Sequence, residues 1–250
     1  MTGRRIALHI TTGCLAYAVA LIATLPAPWI SQAVGRFSKQ VLLLRDPDGT
    51  AWTGSGRLYL RQRSGELLDL GMLRWKASLS GTIAGKFATD FSLGDASRTA
   101  HLELSHGSTA LRGVNLEIPG NILANIAPGM EALGPQGMLR IRSESLRIDD
   151  RAVLGMADVE WRPARLAVAR GLELGSHVAR LRGKGDKVDI EFGTIDGPLR
   201  LSGGGAWTLK SGLAVTGTLE HGGNPPAMTS FLQGVCSDYR SGRCTFRFPR

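Results

Sequence analysis

From Leu73 onward the chain alternates apolar and polar residues with a period of two. In Leu73-Arg74-Trp75-Lys76-Ala77-Ser78-Leu79 the odd positions are apolar and the even ones polar. Ile83, Phe87, Phe91 and Leu93 continue that face, with Lys86 and Asp90 on the other. Val188-Asp189-Ile190-Glu191-Phe192 is the cleanest instance. Leu199, Leu201, Trp207 and Leu209 form another apolar face, and Leu213, Val215 and Leu219 the next. Successive side chains of a strand point to opposite faces, so this pattern predicts an antiparallel sheet with one face covered and one wet. An earlier strand is expected at Val41 to Leu44, followed by a turn at Asp46-Pro47-Asp48-Gly49.

Only two segments read as short helices. The first covers residues 121–126, introduced by Pro119-Gly120 and stopped near Pro128-Gly129. The second covers residues 225–233, with Asn224 as N-cap, Pro225 in the first helical position and Gly234 at the end. Met228, Phe231 and Leu232 would share one face of it and cover the end of the sheet. A Pro/Gly-rich break over residues 129–137 divides the chain into similar halves. Each half has a tryptophan strand, Leu73-Arg74-Trp75-Lys76 and Val159-Glu160-Trp161-Arg162, and a helix introduced by proline. One continuous domain of two related sheets fits this pattern as well as two domains do.

The N-terminus follows a different pattern. Residues 6–25 contain no Asp, Glu, Lys or Arg, and Ile6, Leu8, Leu15, Val19, Leu21 and Leu25 carry their apolar character. A helix of ~20 residues crosses ~30 Å of hydrocarbon, so the stretch fits one span. Arg4 and Arg5 precede it, and no further basic residue occurs before Arg36. The positive-inside rule then leaves the N-terminus in the cytoplasm and exports the rest. Trp29 is placed as an interfacial aromatic, Pro26 and Pro28 end the helix, and a polar connector follows to Gln40. A cleaved signal peptide is the competing reading, but its apolar region would be shorter, and a cut after Ala27 would leave Pro28 first. The expected organisation is a cytoplasmic stub and membrane anchor over residues 1–30 and an exported β-domain over 31–250. The expected fold is all-β with one transmembrane helix and two short helices. Its curved antiparallel sheet or sheets would form an incompletely closed barrel or a sandwich.

Export changes the reading of the cysteines. Cys14 lies in the apolar segment, whereas Cys236 and Cys244 flank a run of turn-forming residues in an oxidising compartment, which predicts a disulfide between them. Two ligands without a neighbouring His pair do not make a zinc site.

The chain carries 33 glycines, spread without collagen period, as turns and bulges of an antiparallel β protein require. Its net charge of +9 is scattered singly, which describes a solvated surface; an anionic lipid surface or an acidic partner is the lesser alternative. Basic patches interleaved with aromatics are missing, so nucleic acid is not an expected partner. Gly54-Ser55-Gly56 resembles part of a nucleophile elbow but reads as a strand bulge. The run from Gly183 to Lys187 lacks the phosphate-loop frame and reads as a hairpin turn. Gly203-Gly204-Gly205 lies inside a strand pattern and gives no dinucleotide site. His101, Glu103 and His106 are expected on the polar surface of a strand whose Leu102 and Leu104 point inward. No catalytic residue, metal site or cofactor is expected.

Several segments taken in order resemble the type II secretion system protein N family. They are Thr24-Leu25-Pro26-Ala27-Pro28-Trp29, Gly49-Thr50-Ala51-Trp52-Thr53-Gly54-Ser55-Gly56, Leu70-Gly71-Met72-Leu73-Arg74-Trp75 and Leu116-Glu117-Ile118-Pro119. Residues 197–204, the segment from Pro225 to Met228 and the hairpin after it complete the series. Trp52, Gly54 and Trp75 form the family-like motif, and specificity lies in the block from Gly49 to Gly54 together with the order of the segments. The resemblance covers nearly the whole chain. It implies a bitopic inner-membrane subunit with a periplasmic domain, assisting a machine that moves folded proteins across the outer membrane. It implies no catalytic residues, and partners among the other inner-membrane or periplasmic subunits. The Cys236–Cys244 pair lies outside the family pattern. An alternative is an inner-membrane-anchored lipid-handling or envelope-bridging protein similar to the AsmA-like family. An open, apolar inner face would favour that alternative, and a closed, packed one would favour a scaffold.

Overall fold

The computed structural model describes residues 17, 20–78, 86–94, 99–126, 130–168, 172–222, 228–229, 232–233, 236, 238–240 and 242–248. Thirteen strands form one antiparallel sheet in strict chain order. They are β1 Leu42–Gly49, β2 Thr53–Arg61, β3 Leu67–Ser78, β4 Phe87–Leu93, β5 Ala100–Ser105, β6 Ser108–Pro119 and β7 Pro135–Asp149. β8 Val153–Leu166, β9 Leu172–Gly185, β10 Lys187–Asp196, β11 Leu199–Thr208, β12 Gly212–His221 and β13 Arg243–Phe248 follow. The first and last strands do not pair, so the sheet is open. It is neither a sandwich nor a closed barrel, and β6 pairs directly with β7 across the expected break.

Every second strand runs the same way, which gives the sheet two distinct ends. At one end lie the turns at residues 50–52, 106–107, 150–152, 186 and 209–211. This is the entry end, where the N-terminal segment joins the sheet. At the other, capped end lie the connections that alternate with these, from two residues at 197–198 to the long segments 120–134 and 222–242.

Register places the predicted apolar positions on one face throughout. Leu44 pairs with Leu58, Leu73 with Leu93, and Trp75 with Phe91. Ile118 pairs with Leu139, and Leu139 with Trp161. Val188 pairs with Trp207, and Trp207 with Leu213.

Besides helical residues at 20–23, 228–229 and 232–233, three bounded short α-helices and a 3-10 turn accompany the sheet among the described residues. Helix α1 spans Pro28–Phe37, where the sequence reading placed a polar connector. Pro28 takes an N-terminal position that needs no N–H donor. Ile30 and Val34, one helical turn apart, pack on the cluster that holds Leu44, Leu58 and Leu60. Those two apolar residues at helical spacing were the signal in an otherwise polar stretch. The 3-10 turn Gly120–Ile122 and helix α2 Leu123–Ile126 stand where a helix was expected. Helix α3 Met130–Leu133 lies in the break. Of the expected helix over 225–233, residues 228–229 and 232–233 are helical and the others lie outside the described residues.

Helix α1 covers the apolar face beside β1, and the later helical segments cover its capped end. Ile122 and Leu123 pack on the first cluster, which runs from Ala27 to Leu139. Met228 and Leu232 are buried in the second, with Ala164, Leu166, Leu174, Leu199, Leu219 and Cys244. Removing one such leucine from water is worth roughly 1.5–3 kcal/mol.

Two expectations are corrected. The segment from Asp46 to Gly49 is not the turn but the end of β1. Between the pairs Arg45–Arg57 and Asp48–Ser55, two residues of β1 oppose the single Gly56, and Asp46 takes a positive φ of 49°. The chain turns at residues 50–52 instead. The apolar face is also not covered along its whole length. Leu104 and Leu213, read as inward, are 39% and 38% exposed, because the described helices cover the capped end and the part of the face beside β1 to β3 but not these positions. Leu79 and Ile83 lie outside the described residues.

Candidate functional site

The residues singled out as Trp52, Gly54 and Trp75 form a socket for the N-terminal segment at the entry end. Gly49, at φ +92°, turns the chain out of β1; a side chain there would put its Cβ 2.5 Å from the Thr53 carbonyl. The Thr50 hydroxyl oxygen accepts from the backbone N–H groups of Trp52 and Thr53 at 3.3 and 3.1 Å, fixing the turn. Trp75 lies opposite Gly54 and donates its indole N–H to the Thr50 carbonyl at 3.2 Å. A Cβ on Gly54 would come within 2.5 Å of that indole, so the ring needs glycine beneath it.

The incoming chain is bonded to this turn by three hydrogen bonds, two of which make the β-bridge between Pro26 and Thr50. The Trp52 indole N–H donates to the Ile22 carbonyl at 2.7 Å. The Ala51 N–H donates to the Leu25 carbonyl at 2.7 Å, and the Ala27 N–H to that of Gly49 at 3.2 Å. Ala27 and Ala51 are buried within the joint. Residues 20–23 are helical, with Leu21 and Ile22 exposed, and Trp29 is exposed on the first turn of α1. Helix α1 then runs back along β1, where the Ser31 hydroxyl donates to the Leu44 carbonyl at 2.6 Å. This shields an edge strand that would otherwise be free.

Arg4, Arg5, Ile6, Leu8, Leu15 and Val19 lie outside the described residues. Among the described residues no helix is long and apolar enough to cross a membrane.

The opposite edge, β13, is closed over half its length by the C-terminal loop. Cys236 and Cys244 are joined by a disulfide, with Cα atoms 5.8 Å apart. Asp238 accepts from the Thr245 hydroxyl at 2.6 Å and from the Thr245 N–H at 2.9 Å. Those bonds hold its carboxyl below the usual carboxylate range, the hydroxyl contributing most.

The polar face is laced with ion pairs. Arg57 pairs with Asp69, Arg140 with Glu117, Arg165 with Glu173 and Arg243 with Glu220. Lys184 and Lys187 share Asp189. His101 contacts Asp90 at 2.7 Å rather than Glu103 or His106. No metal-binding group of three side chains forms among the described residues.

Sequence reasoning passed over His177. It is buried on the apolar face between Trp161 and Thr194 in register, with its Nδ1 3.1 Å from the Thr194 hydroxyl. Burial pushes its pKa down, and Asp196 opposes that only in part. Among the described residues its Nε2 has no hydrogen-bond partner. A lone histidine among alternating residues carries no signal of burial in the sequence.

Neither the curated proteins nor the solved structures contain a match to the chain. The family model for type II secretion system protein N matches residues 40–247, taking in the socket turn, the sheet except the last residue of β13, and the C-terminal loop. The chain therefore belongs to the type II secretion system protein N family and is a component of that secretion machinery.

Proposed function

We propose that the chain is an accessory, structural subunit held in the inner membrane by residues 6–25, with residues 31–250 in the periplasm. There it assists the export of folded proteins across the outer membrane by binding, without turnover. The observation that supports this reading is the socket. Three main-chain and indole hydrogen bonds join residues 22–27 to the turn at 49–54, so the end of the apolar segment is fixed to the sheet. A mere tether would need no such joint. Other inner-membrane or periplasmic subunits are the expected partners. The ion-laced face and the C-terminal half of β13 are surfaces suited to protein contact.

The test is deletion of the protein in its own host, with periplasmic and medium proteins compared. Accumulation of normally secreted folded proteins in the periplasm is the expected result. Intact secretion with altered envelope lipid content would replace this reading with the lipid-handling alternative.

A further inference from the structure

We propose that the apolar face at the entry end, centred on Leu104 and Ile148, seats acyl chains of phospholipids from the membrane beside it. The inference rests on the inner-membrane anchor proposed above and is independent of the secretion role.

The face changes character along its own strands. On β6 and β7 the pair Ile118–Leu139 is 9% and 3% exposed under the helical cover. Nine residues further along the same two strands, roughly 30 Å away, Thr109 pairs with Ile148, which is 40% exposed. Register continues this row from Phe87 through Leu104, Thr109 and Ile148 to Val153. An apolar row of this length with no cover among the described residues is a surface awaiting an apolar partner.

Position names the partner. The turns at 106–107 and 150–152, beside Leu104 and Ile148, share the entry end with the socket turn at 50–52. The socket receives residues 22–27, the end of the apolar sequence that begins at Ile6. Leu104 and Ile148, at the centre of the row, lie three and five strands from β2, a lateral distance of roughly 15–25 Å. The nearest apolar phase is therefore the bilayer that the segment enters.

The chemistry of the row agrees. β5 and β7 are interior strands paired on both sides, so a peptide strand cannot add to them. The occupant must bind through side-chain contact alone and carry no unmet hydrogen bonds, as hydrocarbon does. The nearby turns carry Lys86 and Arg151 but also Asp149 and Asp150. Apolar contact, not headgroup charge, then sets the affinity, and zwitterionic lipid should serve as well as anionic lipid.

The test uses the full chain in vesicles of phosphatidylethanolamine and phosphatidylglycerol. These contain a tracer phosphatidylethanolamine with a diazirine at its acyl terminus. After illumination, adducts are mapped by mass spectrometry. Labelling of the peptides holding Leu104 and Ile148, beyond that of residues 6–25, is expected. Leu104→Glu and Ile148→Glu, both at open positions, should each lower that labelling about tenfold, since a carboxylate resists hydrocarbon. Met156→Glu, exposed on the ion-laced face, should leave it unchanged. Labelling confined to residues 6–25 overturns the seat while leaving the anchor intact. Release of the chain from the vesicles by alkaline carbonate overturns the anchor and the seat with it.

Discussion

Phe192 and Phe246 stack with ring centroids 5.9 Å apart and planes inclined by 26°, although two strands separate them. The intervening register partners are Gly203 and Gly217. A Cβ on Gly217 would meet both rings at 2.8 Å. The two glycines leave the floor over which the rings join, and the stack ties β10 to the edge strand β13. Gly217→Val should lower stability by about 1–3 kcal/mol through overpacking. Urea unfolding followed by tryptophan fluorescence measures it, and an unchanged midpoint would show that the rings do not need the glycine floor.

The Cys236–Cys244 bond closes a short loop over the start of β13. Its loss in a Cys236→Ser, Cys244→Ser double variant should cost about 2 kcal/mol. The same change should speed amide exchange at Thr245, because the Asp238 acceptor is no longer held beside it. Exchange rates equal to those of the parent chain would show that Asp238 closes the edge unaided.

Trp52→Phe retains the ring and deletes the hydrogen bond to Ile22. A loss of about 1 kcal/mol is expected. The joint should also open more often, so that trypsin cuts faster after Arg36 and Lys39. A parent-like digestion rate would argue that the Ala51 and Ala27 backbone bonds alone hold the segment.

His177 sets a pH response. Its folded pKa lies below the ordinary value of 6.5, with burial as the main cause and Asp196 opposing. The neutral ring is favoured in the folded state. The resulting stability is complete above the ordinary histidine value and is lost as the pH falls below it. Unfolding midpoints at pH 7 and pH 5 should therefore differ more for the parent chain than for His177→Gln. Equal differences would assign the acid response to other groups.

The period-two alternation made the sheet legible, and Trp75, Val188 and Leu199 are buried where it placed them. The 121–126 helix was legible too, since Pro119-Gly120 gives a local start signal. Helix α1 was not, because a polar composition hid the Ile30–Val34 spacing. The roles of Trp52 and Gly54 were visible only as a resemblance. Their partners Ile22 and Trp75 lie 30 and 21 residues away in the chain, and no local pattern reports such pairings.

The sequence by itself determined the strands, their two faces and the apolar segment at the start, because each is written in the spacing of neighbouring side chains. It also determined the family, through segments in a fixed order. Tertiary structure decided that the strands form one open sheet in chain order. It decided as well that the described cover leaves Leu104 and Ile148 exposed, and that residues 22–27 join the sheet at the same end. Those outcomes depend on where connections of different length cross the sheet ends, a balance of long-range packing that alternation does not encode.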